Sequence, residues 1–73
     1  MSERRNITFV VVENSGYVGE RDVVKFADAL SAIRHRSAVY DADELDTGHP
    51  ACLHVGIRMD WIDVDGEQSE YIA

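Results

Sequence analysis

The pattern begins with Ile7-Thr8-Phe9-Val10-Val11-Val12-Glu13, a β-branched run with Ile7, Phe9 and Val11 on one face and Val10 and Val12 on the other. Apolar residues on both faces predict an inner strand over residues 7–13. Asn14-Ser15-Gly16 follows as a turn cluster in which Gly16 is free to take positive φ. Over residues 20–36 the spacing changes. Val23, Phe26, Leu30 and Ile33 recur at intervals of three, four and three residues, with Ala27 in the same stripe, which predicts an amphipathic helix. Glu20 and Asp22 would sit in its first turn and Arg34, His35 and Arg36 in its last, matching the helix dipole at both ends. The competing reading folds residues 17–26 back on the first strand as a hairpin around Asn14-Ser15-Gly16.

Residues 37–42 contain Ala38, Val39 and Tyr40 and predict a short strand, and residues 43–50 a polar loop or a single helical turn. Leu53, Val55, Ile57, Met59 and Trp61 then alternate with His54, Gly56, Arg58 and Asp60, the signature of a half-buried strand. Ile62 and Val64 break that phase, which predicts a bulge near Trp61. Asp65-Gly66 predicts a type I′ hairpin, and residues 67–72 a returning edge strand guarded by Glu67, Gln68 and Glu70.

Together these elements predict a two-layer α+β domain spanning residues 1–73. One amphipathic helix packs on a four-stranded, mostly antiparallel sheet, in the order β-α-β-β-β. One helix covers one face of a sheet. Val10, Val12, Val39 and Tyr40 are left for the other face, and their exposure predicts a homodimer formed through the sheet.

The chain has 73 residues, and Ile, Leu, Val, Phe, Met, Trp and Tyr together number 25. That suffices for one layer of core and not for a deep catalytic cleft, so the expectation is a protein that is not an enzyme, with no catalytic residue and no cofactor. A cleft shared at a subunit boundary is the remaining route to catalysis. No stretch approaches the roughly 18 to 20 apolar residues of a membrane span, and Met1-Ser2-Glu3-Arg4-Arg5-Asn6 leads into no small-residue cleavage site, so a cytoplasmic chain is expected. Cys52 is the single cysteine and cannot staple the fold to itself.

Charge sharpens the picture. Of 7 basic and 14 acidic side chains, residues 1–36 hold 6 and 5, whereas residues 37–73 hold 1, Arg58, and 9. The excess of carboxylates excludes direct nucleic-acid binding, which relies on Lys and Arg to neutralise phosphate. Asp41, Asp43, Glu44, Asp46, Asp60, Asp63, Asp65, Glu67 and Glu70 form the acidic set. A solvated, solubilising surface is one explanation. The other is a face that docks a basic protein partner, as an interaction module or inhibitor. In the nucleic-acid-mimic version, Asp41 with Asp43 and Asp63 with Asp65 would stand ~6.6 to 6.8 Å apart along a strand face, near the spacing of phosphates.

Three short motifs bear on chemistry. His49, Cys52 and His54 bring two imidazoles and a thiol within six residues, donors that suit zinc, and a small metal-binding module is the alternative function. A fourth ligand would have to come from His35 or a carboxylate such as Asp46. The acidic surroundings of Cys52 oppose a reactive thiolate. Ser15-Gly16-Tyr17-Val18-Gly19, placed between a strand and a helix, lacks the lysine of a phosphate-binding loop. Residues 60–66 fail as a calcium loop, because Trp61 and Ile72 would occupy liganding positions. Trp61 and Tyr71 are read as core or dimer contacts.

Overall fold

The computed structural model describes residues 4–73; Met1 to Glu3, the start of the stretch read for a leader, lie outside the described residues. It is a small α+β fold. Strands β1 (Arg5–Glu13) and β2 (Arg21–Phe26) form a hairpin, helices α1 (Ala29–Val39) and α2 (Ala42–Leu45) follow, and β3 (Gly56–Asp63) and β4 (Gly66–Tyr71) form a second hairpin. The four strands make one sheet in the order β2-β1-β3-β4, antiparallel throughout. β1 is thus an inner strand, and β4 an edge strand, as their sequences predict.

The helix expected over residues 20–36 is instead a strand followed by a turn and a later helix, so the order is β-β-α-α-β-β and not β-α-β-β-β. The hairpin reading is the one observed. Residues 14–19 close it, with positive φ at Asn14 (56°), Gly16 (79°) and Gly19 (90°). α1 starts at Asp28, whose side chain accepts a hydrogen bond from the Ser31 backbone N–H at 2.8 Å and so satisfies a free helical donor. The stripe that imitated one long helix spans two elements: Val23 and Phe26 belong to β2, while Leu30 and Ile33 point outward from α1, 54% and 44% exposed. What α1 buries is Ala32, whose small side chain permits close approach to the sheet.

Residues 37–42, expected as a strand, end α1 and lead into α2, the single helical turn anticipated after them. The alternation from Val55 to Trp61 holds, with Val55, Ile57 and Trp61 buried. β3 has no bulge against β4; the irregularity lies opposite Trp61 on β1, between Arg5 and Thr8, where Asn6 has φ 54°. The closing turn centres on Val64 and Asp65, with positive φ only at Gly66 (102°), which rules out type I′.

Cross-strand pairing assigns the faces. Val24, Val11 and Ile57 lie abreast, as do Phe26, Phe9 and Met59, and this face meets the helices. Val11, Ala32, Tyr40, Val55 and Ile57 form the core cluster, with Phe9 and Leu45 among the side chains packed against it. The other face carries Lys25, Val10, Arg58 and Tyr71 in one row and Thr8, Asp60 and Ser69 in the next. No helix covers it. Gly56 lets the strands close at one end, since a Cβ there would stand 2.6 Å from Ser15 Oγ and 2.8 Å from the Ala73 carbonyl oxygen.

The premise of a dimer through the sheet does not hold. Val10 and Val12 are fully buried within one chain, and Tyr40 is in the helix-side core; of the four expected contact residues only Val39 is exposed. Among the described residues no helix is long and apolar enough to cross a membrane.

Candidate functional site

Val10 and Val12 are buried on a face without helices because a polar roof covers them. Arg58, the cross-strand neighbour of Val10, is at its centre. Its Nε donates to Asp60 Oδ1 at 2.8 Å and one terminal nitrogen to Asp60 Oδ2 at 3.0 Å. Asp22 accepts two parallel bonds at 3.0 Å each, and Glu20 Oε2 accepts one at 3.2 Å. All five donors of the guanidinium are thereby engaged. Its side chain is only 16% exposed, and the carboxylates of Asp60 and Asp22 raise its already high pKa further.

Glu20 links this roof to the β1–β2 turn and to β4. Its Oε1 accepts from the Gly16 backbone N–H at 3.1 Å and from the Tyr71 hydroxyl. The Tyr71 bond first, and the Gly16 bond next, hold its carboxyl below the usual range, and the same contact raises the Tyr71 phenol. A separate network sits at the helix-side end of the hairpin, where Glu13 accepts from Arg21 at 2.8 Å and from the Tyr40 hydroxyl at 2.9 Å. Burial, then Glu13, push the Tyr40 phenol up to about 12.

Beside Arg58 the face forms an open trough of about 480 Å³, lined by Thr8, Lys25, Asp60, Glu67, Ser69 and Tyr71 among others. Three carboxylates share the one guanidinium of Arg58, which leaves two negative charges unmatched; Glu20 and Asp60 line the trough itself and Asp22 is paired beside it, while Glu67 and Lys25, also on the trough, offset each other. The site is a polar, anionic surface suited to ammonium or guanidinium groups.

Of the nine expected acidic residues, only Asp60 and Glu67 line this trough. Asp41 and Asp43 belong to the start of α2, where Glu44 Oε2 accepts from the Asp41 N–H at 3.1 Å, and Asp46 accepts from the Gly48 N–H at 2.9 Å. Asp63 accepts from Trp61 Nε1 at 3.2 Å and from the Asp65 N–H at 2.8 Å, which ties both to the hairpin turn. Glu70 is exposed on β4, beside Met59 on the helix-side face. Neither pair proposed for phosphate-like spacing lies on one strand: Asp41 is the extended N-cap of α2 and Asp43 lies within it, and Asp63 and Asp65 straddle the end of β3. Glu20, Asp22 and Tyr71 join the site from outside the predicted set, because the helical spacing over residues 20–36 assigns the first two to a helix that does not form there. Arg58, the lone base of residues 37–73 amid an apolar alternation, was the visible signal.

The other motifs do not assemble. His49 Nδ1 accepts from the Ala51 N–H at 3.0 Å, Cys52 Sγ from the His54 N–H at 3.3 Å, and the His54 ring rests on Tyr17 with centroids 4.6 Å apart. Among the described residues no three His, Cys, Asp or Glu side chains are placed to share a metal ion. The Ser15–Gly19 segment joins two strands, so no helix N-terminus faces it, and Glu20 occupies the Gly16 N–H. Trp61 is buried under the Arg4 guanidinium, 4.2 Å from the ring centroid, and pairs with Gln68, while Tyr71 pairs with Arg58 on the open face. Comparison of the chain with protein families, with curated proteins and with solved structures gave no match.

Proposed function

We propose that this chain is a non-enzymatic interaction module, working in the cytoplasm, whose open sheet face receives a basic segment of a protein partner. The observation that carries this reading is the convergence of Glu20, Asp22 and Asp60 on the single guanidinium of Arg58. The surplus charge is fixed in place by β2, β3 and the β1–β2 turn, so little ordering is needed when a cation arrives. Lysine or arginine side chains entering the trough exchange water for carboxylate partners on a rigid frame. The cytoplasmic setting accords with the one cysteine, Cys52, which is a free thiol.

Two double variants with the same change in net charge test the reading. Calorimetric titration with a heptalysine peptide is expected to show ~10-fold weaker binding for Asp22→Asn with Glu67→Gln. Asp43→Asn with Asp46→Asn, distant on α2 and its loop, is expected to change affinity by less than about twofold, the long-range part alone. Equal losses in the two variants would mean that net charge, and not this trough, governs the association.

A further inference from the structure

The two edges of the sheet differ, and the difference bears on how a basic segment would be held. β2 is bulged: Val12 pairs with Asp22 and Val11 with Val24, which leaves Val23 unpaired, and the strand carries Arg21 and Lys25. β4 pairs with β3 from Gly66 to Tyr71 without a register shift, contains no proline and bears only acidic charges, Glu67 and Glu70. Bulges and cations blunt the first edge. The second is regular and, among the described residues, open.

The phase of the β4 hydrogen bonds follows from its ends. The Ile72 N–H donates to the Ile57 carbonyl at 2.9 Å, and Asp63 faces Gly66 across the two-residue turn. In an antiparallel ladder the bonded pairs alternate, so Gly66, Gln68, Glu70 and Ile72 direct their backbone groups at β3. Glu67, Ser69 and Tyr71 direct theirs away from the sheet. These same three residues have side chains on the trough. A strand laid along this edge would therefore put every second side chain over the trough. One of them would lie beside Glu67 and the next beside Ser69, whose small side chain leaves a path to Asp60, its cross-strand neighbour. With strands about 4.8 Å apart, a lysine or arginine on the added strand spans that path.

We infer that the partner's basic segment binds as a fifth strand on the free edge of β4, with a lysine or arginine at alternate positions directed into the trough; this rests on the function proposed above. Charge selects the occupant. A second copy paired β4 to β4 would gather two Glu67 and two Glu70 carboxylates on strands that carry no basic residue, and a second copy's β2 would offer a bulged edge.

The test uses the full chain and the capped peptide Lys-Val-Lys-Thr-Lys-Val-Lys, with amide hydrogen exchange followed by NMR. At saturation, exchange of the Glu67, Ser69 and Tyr71 amides is expected to slow ~10-fold or more, while Gln68 and Glu70, already bonded to β3, change little. A second peptide, N-methylated on the alternate amides that face the edge, is expected to bind ~10-fold more weakly at unchanged charge. If both peptides bind equally and shift Asp60 and Glu67 without protecting those three amides, strand addition is wrong while docking of cations in the trough survives. If neither peptide perturbs the trough, both fail. Concentration-dependent protection of the same amides without peptide would assign the edge to a second copy and overturn the inference.

Discussion

The two faces of one sheet bury their valines by different means. On the helix side Val11 and Ile57 are fully enclosed by apolar side chains and by Ala32 of α1. On the open side Val10 and Val12 are just as completely enclosed, yet the side chains paired beside them are polar: Arg58 next to Val10 and Asp22 next to Val12, with Arg58 held by five hydrogen bonds to three carboxylates. The first closure is non-directional and scales with buried area. The second is directional, sensitive to salt, and built from groups that can exchange partners. A chain this small thus closes both sheet faces with one substantial helix, the second face by charge.

Substitutions on the two faces should separate these mechanisms. Ile57→Ala on the helix side is expected to cost about 2 to 5 kcal/mol in denaturant unfolding, nearly independent of salt, since it leaves a cavity in the core. Arg58→Ala on the open side is expected to cost about 1 to 3 kcal/mol, less than a wholly buried pair because its carboxylates remain partly solvated. Added salt should reduce that cost by screening the three orphaned carboxylates. Arg58→Met keeps a stem over Val10 and should recover part of the loss, which would apportion the roof between apolar cover and charge.

Smaller effects sharpen the contrast. Tyr40→Phe removes the hydroxyl bonded to Glu13 and is expected to cost about 1 kcal/mol at neutral pH. The fold raises the Tyr40 phenol from 10.0 to about 12, so it favours the protonated form. This contribution is complete below pH 10 and disappears as pH rises through 12, and the Phe variant should lose less stability across that window. Smallest is Tyr71→Phe. The Tyr71 hydroxyl is the main reason the Glu20 carboxyl lies below its ordinary 4.5, so an NMR titration of the variant should find Glu20 moved back toward that value.

The elements that local pattern could reveal were legible: the β1 run, the alternation through Ile57 and Trp61, the turn before β4 and its charged edge. The region between Glu20 and Tyr40 was not. Val23, Phe26, Leu30 and Ile33 keep a helical interval by coincidence across a strand, a turn and a helix, while the true helical start is signalled only by Asp28 and Ser31. Ala38 and Val39 suit a strand but end α1, where tertiary packing overrides intrinsic preference. The site was hidden for a related reason. Arg58 meets Glu20 and Asp22 across 38 and 36 residues, a proximity created by β1 pairing with β2 on one side and β3 on the other. Counting carboxylates located an acidic half, but capping at α2 and the β3–β4 turn had already claimed several of them.

A map of backbone amide shifts during titration of the labelled chain with heptalysine reads the functional claim most directly. Perturbations centred on Thr8, Lys25, Arg58, Asp60, Glu67 and Ser69, fading as salt is raised, are the expected result. Shifts centred on Asp41 to Asp46, or spread evenly over every exposed carboxylate, would contradict it.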